Sequence, residues 1–183
     1  MSLPSDVSTA REAPSRLDRI VASIDGLSTA TGWVAGWLMV PMTLAITYEV
    51  VARYAFHAPT VWAYDSTYMF FGAQFMLAAA YTLLKGGHIR TDVFYERWSA
   101  RTRATIDTVS YVLFFFPGML FVLYAGWVEA WQSWQIGERS DWSAWRPVIY
   151  PLKFVIPVTA VLLILQGFAE LVRCLRVIRG RPR

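Results

Sequence analysis

Between Trp62 and Leu84 only Asp65 carries a charge. At about 1.5 Å per residue, a helix of that length covers the roughly 30 Å of a bilayer core. A soluble domain of this size would alternate polar and apolar faces, whereas this run is apolar all round, as a membrane span has to be. It stops at Lys85-Gly86-Gly87-His88. Glycines adopt the left-handed backbone that ends a helix, and Lys85 and Arg90 belong at headgroup depth, so the chain is expected to turn there at the membrane surface.

Three further runs behave the same way, and the 56% hydrophobic and 16% aromatic content agrees with them. The spans fall at about 27–54, 62–85, 102–135 and 150–176, which defines an all-α integral membrane bundle of four transmembrane helices. Pro41 interrupts the first span, where Thr43 or a neighbouring helix can take up the freed carbonyl. The third span is too long for a bilayer, and FFFPGML at Phe114–Leu120 is expected to kink it. Pro151 suits the first turn of the fourth, and Pro157 bends it. The chain divides into an N-terminal arm (1–26), the membrane domain (27–177) and a basic tail (178–183).

The arm lacks the basic start, apolar middle and cleavage site of a secretory signal. Residues 1 to about 13 are expected to be disordered. Leu17, Ile20, Val21 and Ile24 then share one helical face, either as a short amphipathic helix on the membrane surface or as the aqueous start of the first span. A second interfacial helix is expected over Asp92–Thr105.

Polar groups inside or beside such spans are costly and should be paired. Glu49 and Arg53 stand four apart in the favourable acid-first order. Arg53 and Asp65 fall at similar depth across the tight 55–60 link, which predicts a contact between the first two spans. Gln74 should bond within a helix interface. Glu129 and Lys153 match in depth on the last two spans, and Gln166 and Glu170 add polar groups further along the fourth. Five of the nine tryptophans lie between Trp127 and Trp145, with Arg139 among them. That stretch reads as a belt along one membrane face, or as a docking surface.

Orientation follows from counting. With the N-terminus inside, thirteen Lys and Arg fall on inner segments and four, Arg53, Arg139, Arg146 and Lys153, on outer ones. Both termini are therefore expected in the cytoplasm, with the Trp-rich loop outside. The net charge of +4 sits at span ends rather than on one face, which argues against a nucleic-acid partner. Cys174 is the lone cysteine, and no phosphate-cradling loop, metal-spaced cluster or activated nucleophile is present. No catalytic, cofactor-binding or metal residue is assigned. His57 and His88 suggest a haem-bearing anchor of a redox enzyme, but both sit in loops expected on opposite sides. A stand-alone channel or exporter would need a chain of ionisable groups through the bilayer centre.

The order of motifs adds a resemblance. YEVVARY ends the first span, VWAYDSTY opens the second, GGHIRTDVFYERW forms the corner, and GERSDWSAWRPVIYPLKFVIPVTAVLLILQGFAELVR closes the chain. Over about Gly26 to Arg179, this series resembles the small membrane subunit of tripartite ATP-independent periplasmic (TRAP) transporters, the DctQ type. His88 and Asp92 in the corner, and Pro151, Lys153, Pro157 and Gln166 later, carry it. Such subunits often open the second span with paired acids, whereas Tyr64 precedes a single Asp65 here. The resemblance implies a bacterial inner-membrane system in which a periplasmic binding protein delivers an organic acid to a large sodium-driven permease subunit. This chain would be that subunit's scaffold, with no cofactor of its own.

Overall fold

A computed structural model describes residues 15–87 and 98–180. The disorder expected for the first residues, and the corner residues His88 and Asp92 with the start of the second interfacial helix, lie outside those described. Four helices are long and apolar enough to cross a membrane: α1 (Arg16–Ala55), α2 (Ala63–Leu84), α3 (Ala100–Gln135) and α4 (Tyr150–Ile178). Among the described residues there is no strand, only one bridge joining Arg139 and Val148.

The amphipathic segment near the N-terminus is the start of α1 rather than a separate helix. Ser15 caps it: the Asp18 amide donates to Ser15 Oγ at 3.2 Å and the Ser15 amide donates to Asp18 Oδ2 at 2.9 Å, a reciprocal pair that satisfies two otherwise free donors. The helix then runs unbroken through Pro41. The Thr43 hydroxyl donates to the Met39 carbonyl at 2.8 Å. It therefore does not serve the carbonyl of Trp37, the one that Pro41 leaves without its helical donor.

Along α1, the buried residues Val21, Ile24, Ser28, Ala35, Ala45 and Ala52 fall on one seam of alternating three- and four-residue steps. Its remaining positions, Thr31, Leu38, Met42 and Glu49, are half-buried. This is the spacing of helices packed at a shallow angle. Small side chains dominate it because without water expelled between them, membrane helices gain chiefly from close contact. Gly32 lies beside it, and a Cβ there would stand 2.5 Å from the Tyr81 ring of α2.

α2 ends as its glycines predict. Gly86 takes φ 67°, the Gly86 amide donates to Leu83 O at 3.0 Å and the Gly87 amide to Thr82 O at 2.9 Å. In α3 the expected distortion falls one turn earlier than Pro117, as a π-helical segment at Tyr111–Phe115. Phe115 leaves that segment pressed on Gly167 of α4, where any Cβ would clash with its ring. Further along, Gly126 lets α3 approach Ile156 to within 2.8 Å of where a Cβ would stand.

α4 is the hub, packing against each of α1, α2 and α3, while α1 also lies along α2. Ala160, Gln166 and Ala169 are at most 1% exposed. α1 and α2 carry their large apolar side chains outward, including Trp33, Trp37, Leu44 and Phe75. α3 does the same with Phe114, Phe121 and Tyr124.

Candidate functional site

Polar side chains collect at the two ends of the hub. At the end where α1 begins and α4 finishes, these two helices are clasped. Asp18 accepts from Arg176, and Asp25 accepts from Arg173 and, at 3.2 Å, from Gln166 Nε2. The Ser28 hydroxyl donates to Gln166 Oε1 at 2.6 Å, so both ends of the buried Gln166 amide are used. Arg173 also reaches Glu170 one turn away, and Val21, Ile24, Ala169 and Val172 form the apolar floor of the clasp. Two acids a heptad apart, Asp18 and Asp25, were the available sequence signal, and their partners on the fourth span were not assigned from it.

At the opposite end, Glu49 accepts from Arg53 on its own helix and from the Thr60 amide at 2.9 Å and hydroxyl. The predicted Arg53–Asp65 contact does not form. Arg53 finds its carboxylate one turn back, where the acid-first spacing favours it. Asp65, 3% exposed, turns the other way and accepts from the Ser143 hydroxyl of the 136–149 loop. No charge pattern announced a serine partner 78 residues away.

Lys153 Nζ donates to Glu129 at 2.7 Å and to Glu138 at 2.6 Å, so one cation ties α3, the loop and α4. Glu138 was missing from the sequence assignment because it follows the helix-ending Gly137 and reads as loop. Its carboxyl is held below the usual glutamate range, first by the hydrogen bond from Lys153. The loop folds back on itself: Ser140 N donates to Pro147 O at 2.8 Å and Ile149 N to Glu138 O at 3.1 Å. Arg139, exposed, donates to the Arg146 carbonyl, and Arg146 pairs with Asp141 at 2.5 Å.

Several of the tryptophans meet other rings, face to face, tilted or edge-on. Tyr68 meets Trp142 at 5.0 Å, Trp134 meets Tyr150 at 4.8 Å, and Tyr48 meets Trp62 at 5.7 Å. Between α2, the loop and α4 lies a cavity of about 590 Å³. Among the described residues, the buried Gln74 Oε1 has no hydrogen-bond partner, and neither has the Thr159 hydroxyl of α4. The expected interface bond is thus absent among the described residues.

What this arrangement can do is hold helices together. His57 sits exposed in the α1–α2 link at φ 51°. Among the described residues no group of three or more His, Cys, Asp or Glu is gathered as a metal would require. Residues 42–177, from the middle of α1 nearly to the end of α4, match the model of a protein family described as tripartite ATP-independent periplasmic transporters, DctQ component. No match is found among curated proteins.

Proposed function

This chain belongs to the DctQ family of tripartite ATP-independent periplasmic transporter components, a multi-pass membrane family, and from that premise we propose that it braces a larger membrane subunit. In this reading the large subunit carries an organic acid inward on a sodium gradient, a periplasmic binding protein delivers it, and the Trp-rich loop helps that protein dock. The complex lies in a bacterial inner membrane with both termini of this chain in the cytoplasm, the side favoured by its thirteen inner Lys and Arg against four outer.

The observation that carries the proposal is where the charges go. Asp18, Asp25, Arg173 and Arg176 at one end, and Glu129, Glu138 and Lys153 at the other, join helix to helix. A bundle tied at both ends resists shear, which is what a fixed support beside a moving domain needs. Its broad outward apolar faces on α1 and α3 offer the large subunit a surface at bilayer depth.

The test is reconstitution. Liposomes holding this chain alone should accumulate no organic acid, and uptake should appear only when the large subunit and the binding protein are added with it. Uptake by this chain alone, or full uptake by the other two without it, would sink the proposal.

A further inference from the structure

We propose that the cavity between α2, the loop and α4 holds one phospholipid whose headgroup carries both an ammonium and a phosphate, as an ethanolamine lipid does. The cavity is graded. Asp65, Arg139, Tyr68 and Trp142 line it near the start of α2 and in the loop, with the last two rings 5.0 Å apart, while Met69, Met76, Leu152 and Ile156 line it further along α2 and α4. Its mouth lies at the start of α2 and α4, level with the aromatic belt, which is headgroup depth. Its floor is at acyl-chain depth. A volume of about 590 Å³ takes the headgroup and much of one acyl chain of such a lipid, the rest lying in the bilayer, rather than a few waters.

Two charges at the mouth are left over once the others are matched. Lys153 is taken by Glu129 and Glu138, and Asp141 by Arg146. Asp65 receives one neutral hydroxyl, from Ser143, and is in no ion pair among the described residues. A carboxylate that buried is short of positive charge. Arg139 donates to one backbone carbonyl, at 3.4 Å, and likewise joins no ion pair among the described residues. A headgroup bearing an ammonium for Asp65 and a phosphate for Arg139 answers both, each through a charge-assisted hydrogen bond. A glycerol headgroup leaves Asp65 unmatched, and a choline has no N–H to donate.

The experiment is photocrosslinking of the full chain in nanodiscs with phosphatidylethanolamine carrying a diazirine near the end of one acyl chain. Label should concentrate in peptides containing Met69–Met76 and Leu152–Ile156. The matching phosphatidylglycerol probe should label them about tenfold less, the loss of one charge-assisted contact. Asp65→Asn and Arg139→Gln should each lower the ethanolamine label by a similar factor. Because Asp65→Asn also releases the loop, Leu152→Trp is a second variant: it fills the floor, keeps both charges, and should abolish labelling. Equal labelling by phosphatidylglycerol, or label undiminished in Arg139→Gln and Leu152→Trp, overturns the proposal. So does full competition by soluble phosphoethanolamine, which would make the cavity a solute site instead.

Discussion

α4 and α3 are almost equally apolar, with mean hydropathies of 2.1 and 1.8 in their most apolar windows, yet 44% of the α4 window is buried inside the chain and none of the α3 window. Apolarity therefore says that both helices enter the bilayer and nothing about which is central. Size and polarity make the difference. α4 brings Gly167, Ala160, Ala169, Gln166 and Arg173 to its neighbours, residues that allow close approach or bond across the gap. α3 turns Phe114, Phe121 and Tyr124 outward. One helix is built to be surrounded by its own chain, the other to meet something else.

The sharpest way to break this contrast is to remove the cation of the clasp. Arg173→Ala leaves Asp25 and Glu170 without their common partner. It should cost roughly 2 to 4 kcal/mol of bundle stability, somewhat less than stripping one member from a fully buried pair because the groups here keep some exposure. Denaturation of the purified chain in mixed micelles reads this directly. A loss no larger than that of an exposed arginine such as Arg101 would show that the clasp does not hold the hub.

The next effect is steric and compares the two helices residue for residue. Gly167→Leu on α4 drives a side chain into Phe115 and should cost about 1 to 3 kcal/mol in the same assay. Phe121→Ala on α3, where the ring is 71% exposed, should change the isolated chain by about 0.5 kcal/mol or less. Its effect should appear instead as weaker co-purification with the large subunit. If Phe121→Ala destabilises the lone chain as much as Gly167→Leu, α3 is not the outward helix.

The smallest expected effect concerns pH. Glu138 has its proton affinity lowered in the fold by Lys153, so its contribution is present above its ordinary value of 4.5 and is lost as pH falls through the depressed one. Amide exchange across the 138–149 loop should thus stay slow from neutral pH into mild acid and rise only below 4.5. Lys153→Met should move that rise upward in pH. A profile the same in both proteins would detach the loop from Lys153.

Insertion itself was legible in the sequence, because a bilayer demands long uninterrupted apolar runs, and Trp62–Leu84 is one. The stop at Gly86 was legible too, since its backbone has φ 67°. The hub was not. In water the packed face of a helix declares itself by being the apolar one, but α1 is apolar on both sides, and its seam differs only in having Ser28, Ala35, Ala45 and Ala52 where the outer side has Trp33 and Trp37. Residue size is a weaker signal than hydropathy. Charge pairs within one helix, as Glu49–Arg53, follow from spacing, whereas Asp25–Arg173 and Asp65–Ser143 depend on a fold that spacing does not give. The fully buried Gln166 stood out as a polar residue in a span, but its use of both amide atoms on α1 needed the structure.

The wide turn at Tyr111–Phe115 governs the angular phase of everything downstream in α3. A surplus residue accommodated there rotates the remainder of the rod by about 100° relative to an uninterrupted spiral. That offset is what lets Phe115 seat on Gly167 while Trp127 and Trp134, farther along, still aim at Phe154. Deleting a single residue from this segment would let it wind as ordinary α-helix and keep both tryptophans on their ring partner, whereas closing the wide turn with every residue retained would swing them away without altering one hydropathy value, so the helix would insert as before and dock out of register.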